Sequence, residues 1–110
     1  MIVKDVASRA AFFPDKMGKT DLLRGGYVFA GLNCFEPGQE HALHTHAGQD
    51  KLYYVVEGQG IVLVGEDETR IAAGDLVLAK ADEPHSLRNP GPGRLVVMAI
   101  MAPPPANKKA

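Results

Sequence analysis

The chain has 110 residues, 45% of them hydrophobic, with 12 Lys and Arg against 13 Asp and Glu for a formal net charge of −1 with neutral histidines. That is the size and balance of one globular domain. It supplies no basic field for nucleic acid and no apolar run long enough to span a bilayer, so neither partner is expected. The single cysteine, Cys34, excludes an internal disulfide. With no leader-like pattern of charge followed by a long apolar run at the start, the expected home is the reducing cytoplasm.

Taken in chain order, residues 1–24 are weakly patterned. They predict an irregular cover with one short strand near 2–6. From there the chain alternates short runs rich in Val, Ile, Leu, Tyr and Phe with Gly- or Pro-marked turns. The runs 27–35, 41–46, 52–57, 60–65, 69–73, 76–79, 85–89 and 94–101 read as strands. Tight hairpin turns are expected at 57–60 and 65–69, and further turns at 72–75 and 89–93. No segment keeps a helical period over three turns. Many short strands with closely spaced turns predict an all-β barrel or sandwich over residues 1–101, with 102–110 (APPPANKKA) as a flexible Pro-rich tail. Cys34 and the side chains of Phe12, Phe13, Phe29, Phe35, Met98 and Met101 are expected to pack rather than react or bind. The runs 52–56 and 95–101 are apolar on both faces. Such strands need cover on both sides, so a homodimer is expected.

The chemistry concentrates on histidines. His44 and His46 are two residues apart on a strand and so share a face. His85 sits on a second strand about one hairpin and one turn later. Three imidazoles brought together by strand pairing form most of a site for one divalent transition metal. His41, at an odd offset from His44, is expected to face outward. Tyr53 and Tyr54 must point to opposite faces, one into the interior. Asn89, before Pro90, reads as a turn former.

The segments 38–58 (GQEHALHTHAGQDKLYYVVEG) and 74–89 (GDLVLAKADEPHSLRN) resemble the two signature motifs of the cupin superfamily. The matches are Gly38, His44, His46 and Gly58 in the first motif, and Gly74, His85 and Asn89 in the second. The resemblance implies a single-domain jelly roll, or double-stranded β-helix. It also implies one bound Fe, Mn, Ni, Cu or Zn ion on His44, His46 and His85. Where the family carries a glutamate ligand this chain has Lys51, and Lys80 and Asp82 replace a proline and a glycine before His85. Gln49, one pleat before Lys51 on the same face, is the preferred fourth ligand. Asp50 is the alternative and would need a bulge. Lys51 either fills the missing carboxylate's slot, making a strongly positive cavity, or turns to solvent. The resemblance points to a dioxygenase-like oxidoreductase acting on a small anionic or chelating substrate oriented by Tyr53 and Lys51. Its alternatives are a non-enzymatic small-molecule binder, or an isomerase or epimerase in which Lys51 or Tyr53 moves protons.

Overall fold

In a computed structural model that describes residues 1–106, nine antiparallel strands form two facing sheets. They are β1 (Gly18–Arg24), β2 (Phe29–Phe35), β3 (Glu40–His44), β4 (Asp50–Glu57), β5 (Gln59–Val64), β6 (Asp67–Ala72), β7 (Leu76–Ala79), β8 (His85–Arg88) and β9 (Leu95–Ala102). One sheet has the order β1-β2-β9-β4-β7 and the other β3-β8-β5-β6. The only helical piece among the described residues is a 3₁₀ turn at Val6–Arg9. The expected jelly roll is therefore present.

The strands form where branched and aromatic residues alternate on a pleat. On β9 the inward side chains are Leu95, Val97, Ala99 and Met101. Between them, Val96, Met98 and Ile100 face outward. Leu95, Val97 and Ala99 pack with Phe35, Tyr53, Val55, Val62, Ile71 and Leu87 into the main core between the sheets. Behind the five-stranded sheet, Leu32, Cys34 and Val96 form a second cluster, covered by Ala10, Phe12 and Leu22. Ala10 and Phe12 of the N-terminal segment thus pack on this cluster, and Cys34 is buried within it. The β4–β5 turn depends on Gly58, whose φ is +83° and where an added Cβ would lie 2.1 Å from the Arg94 carbonyl oxygen.

Two local expectations are corrected. No strand forms at 2–6; the early strand is β1, seven residues at Gly18–Arg24. It is an edge strand with Lys19, Asp21 and Arg24 exposed, and a register shift between Asp21 and Leu23 breaks its alternation, which hides the period-two signal. The tail does not leave the molecule at 102. Gln49 Nε2 donates to the Pro103 carbonyl at 3.0 Å, and the Arg24 guanidinium donates to that of Pro105, so this stretch lies back across the sheet end. The last part of the expected flexible tail, 107–110, lies outside the described residues.

Candidate metal centre

His44 on β3 and His85 on β8 are direct cross-strand partners, and their ring centroids are 4.2 Å apart. β3 ends at His44 rather than running on to 46. His46 follows in the loop, where its carbonyl accepts from the amide of Asp82 at 3.1 Å, and its ring lies 4.7 Å from His44 and 5.4 Å from His85. One nitrogen from each of the three rings falls within a 4.8 Å group. Nitrogens bonded to one ion at about 2.0–2.1 Å lie at most about 4.2 Å apart, so small side-chain movements would close this group on an ion.

The hydrogen bonds select which nitrogen faces the centre. His44 Nδ1 lies 2.6 Å from the Ala42 carbonyl oxygen, and His85 Nδ1 lies 2.9 Å from that of Glu83. A carbonyl can only accept, so each Nδ1 carries the proton and donates it. The Nε2 lone pair is then free. Nε2 of His44, His46 and His85 are all buried without a hydrogen-bond partner. A buried polar atom with no partner is costly, and Nδ1 held by a carbonyl is the usual support of a metal-binding imidazole. Burial lowers the pKa of all three, His46 to about 4, so all are neutral and ligand-ready near pH 7. The donor set fits a divalent transition metal.

The other expected site residues divide. Tyr53 points inward and is fully buried, with its hydroxyl unpartnered and its ring 6.1 Å from that of His85. Burial raises its pKa, keeping it a phenol. Tyr54 faces outward, 39% exposed. The open question at Lys51 resolves inward. It is 3% exposed, and its Nζ lies 5.0 Å from the centre of the Tyr53 ring. Burial, and then the nearby charge of Lys19, lower its pKa to about 8. Both candidate fourth ligands make hydrogen bonds elsewhere. Gln49 spends its amide nitrogen on Pro103, and Asp50 Oδ1 accepts from the Ala81 amide at 2.8 Å and lies outside the three-histidine group.

His41 is a correction. Its ring lies 4.2 Å from that of His44, its Nδ1 is buried without a partner, and burial lowers its pKa to about 3. The pairing of β3 with β8 shifts register between His41 and His44, three residues on one strand against two on the other. Such a bulge breaks strict alternation, so an odd offset ends on the same face. Asn89 forms its turn, accepting from the Gly91 amide, but it is 2% exposed and also donates to Phe35 across the fold.

His41, His46 and Lys51 line a cavity of about 710 Å³ that also takes in Lys19, Asn33 and Phe29. That is within the usual range for small-molecule sites. Phe29 and Met101, expected as packing, are on its wall. The sequence reading missed Asn33. The available signal was an amide inside an apolar strand, two residues from Phe35 on its inward side.

Comparison with known proteins fits this architecture. The model of a cupin domain family matches residues 31–101. The chain is a member of the cupin family. A structure of the Thermus thermophilus protein TT1209 shares 35% identity and superposes with a TM-score of 0.91, covering 96% of this chain and 100% of that one. An oxalate-binding protein of Thermotoga maritima is 32% identical over 59% of this chain, which spans 54% of that relative's length. A structure of a predicted oxalate decarboxylase from Thermotoga maritima shares 25% identity with a TM-score of 0.74, covering 78% of this cupin and 79% of that chain.

Proposed function

We propose that this cupin binds one divalent transition metal on His44, His46 and His85 and uses it as a dioxygenase-like oxidoreductase toward a small anionic or chelating organic substrate. The observation that carries the reading is the trio of buried, unpartnered Nε2 atoms, two of them on rings held by backbone carbonyls. A bound Fe, Mn, Ni, Cu or Zn ion would supply Lewis-acid polarisation of coordinated oxygen and, for a redox-active ion, a route to O₂. Lys51 adds positive charge beside the histidines and draws an anion in. Tyr53 stays protonated and offers a hydrogen bond. The packed core below excludes water from that end. Gln49 Oε1 or solvent completes the coordination. The exposed apolar side chains Tyr54, Leu76 and Leu78 on the outer face of the five-stranded sheet support a homodimer, and the lone buried thiol of Cys34 supports a reducing compartment.

A second reading is favoured by the oxalate-binding relative: ligand capture without turnover. Oxygen uptake by iron- and manganese-loaded protein with oxalate, catechols and β-diketones separates the two. Uptake that is lost in His44→Ala supports the oxidoreductase. Saturable oxalate binding with no turnover by any loaded form supports the binder.

A further inference from the structure

Beside the three histidines, the cavity holds a separate set of polar groups. Lys51 enters from β4 and Asn33 from β2, on either side of β9. Lys51 is 3% exposed and Asn33 6%. Asn33 Nδ2 has no hydrogen-bond partner. The ion pairs among the described residues, Arg88 with Glu68 and Arg94 with Glu36, leave Lys51 out. A lysine is seldom buried without an anion, and a buried amide seldom keeps an unspent donor.

The strands leave room between these groups. Gly31 and Ala99, direct partners on β2 and β9, line the same cavity with no side chain beyond a methyl. At Gly31 the place of a side chain is taken by the Thr20 carbonyl oxygen and the Phe29 ring, 2.9 Å and 3.2 Å from where a Cβ would lie, so the Phe29 ring lies close against the Gly31 backbone. Lys19 lies opposite Asn33 across the β1–β2 pairing. Among the lining residues, Asp21 is the one acid, against Lys19, Arg24 and Lys51. The site is rich in donors and cations, and Phe29, Ala99 and Met101 give it an apolar wall.

We infer that Lys51 and Asn33 form an anion subsite, distinct from the three imidazoles, for the carboxylate of an organic acid with an apolar body. The carboxylate accepts from the ammonium and the amide, and Lys19 adds field at its edge. The apolar body lies along Phe29, Ala99 and Met101. Free phosphate has no apolar body to lie against Phe29, Ala99 and Met101, so the apolar wall favours the organic carboxylate. On the reading proposed above, an oxygen substituent at the far end of the acid meets the metal. The subsite itself needs no metal.

The test uses the full chain, stripped by chelator or loaded with zinc, titrated with benzoate, benzamide and inorganic phosphate. Affinity is read by calorimetry and location by amide NMR shifts. Saturable benzoate binding in both forms is expected, with shifts at Gly31, Asn33, Lys51 and Ala99. Benzamide should bind at least about tenfold more weakly. Lys51→Met should weaken benzoate about ten- to hundredfold and Asn33→Leu severalfold, with zinc uptake unchanged in both. Loss of benzoate binding with zinc uptake kept supports the subsite. Benzoate binding in a wild type that takes up no zinc also supports it and overturns only the metal reading. Equal benzoate affinity in wild type and Lys51→Met, equal affinity for benzamide, tighter binding of phosphate, shifts elsewhere, or no saturable binding to wild type would each overturn it.

Discussion

Along the inward face of β4 the side chains run Val55, Tyr53, Lys51, and along β2 they run Phe35, Asn33, Gly31, Phe29. At the first-named end of each strand the interior is close-packed and apolar. Two or four residues on, the same face turns polar and opens into a cavity. One end contains Leu87, Leu95 and Val97, all fully buried. The other contains four histidines, a buried lysine and an unpartnered amide. The contrast teaches that stability and chemistry are held by the same strands but at opposite ends. The packed end gains free energy from burial, while the polar end gives some of it up, as functional sites commonly do.

The two ends can be separated by mutation. The largest effect is expected from Leu95→Ala in the packed end, at about 2–5 kcal/mol lost in urea unfolding, with one metal still bound per folded chain. If that variant lost metal in proportion to stability, the ends would be a single unit. Gly58→Ala should cost more than the ordinary ~1 kcal/mol of a glycine substitution, because its φ is +83° and the Arg94 carbonyl oxygen is in the way. It too should leave metal stoichiometry intact, as measured by elemental analysis of the folded fraction.

At the polar end the signs reverse. Lys51→Met removes a buried cation with no ion pair among the described residues, so the variant should be about 1 kcal/mol more stable near pH 7. The folded pKa of Lys51, about 8, lies below its ordinary value of 10.5. Above pH 8 the unfolded chain therefore binds a proton that the native state does not. The wild type gains stability as pH rises from 8 toward 10.5, and the advantage of Lys51→Met should shrink over that window. Unfolding midpoints of both proteins at pH 7 and pH 9 check this, and a constant gap would contradict it.

A further effect is expected on the acid side of the metal-free protein. His41 and His46 have folded pKa values of about 3 and 4 against an ordinary 6.5. Between about 4 and 6.5 the unfolded chain takes up protons that the native state refuses, so stability falls as pH falls through that range. Replacing His41 with Phe should flatten part of that slope, read from urea midpoints at pH 7 and pH 5.

Much of this division is legible in the residues. Period-two alternation puts Tyr53 and Tyr54 on opposite faces, one inside and one out, and Gly58 marks the break between β4 and β5, but these strands lie in different sheets, so the expected hairpin at 57–60 is a crossing between sheets. The cupin motifs locate His44, His46 and His85 with no knowledge of strand pairing. His41 is misplaced by alternation because a bulge is a property of two paired strands, and only one of them is visible from the local pattern. β1 escapes notice because an edge strand need not hide one face. The direction of Lys51 stays open in sequence because burial of an unpaired ammonium runs against its solvation, and only the cavity around it explains the choice. The fourth-ligand candidates are not settled by face alone. Gln49 and Asp50 are held by Pro103 and Ala81, partners distant in sequence.

X-ray absorption at the zinc edge, on protein loaded with one equivalent, bears most directly on the three-imidazole centre. The expected result is stoichiometric zinc with three imidazole nitrogens at about 2.0–2.1 Å, and one imidazole fewer in each of His44→Ala, His46→Ala and His85→Ala. Zinc bound well below one per chain, or a shell that keeps its imidazole count in those variants, would contradict it.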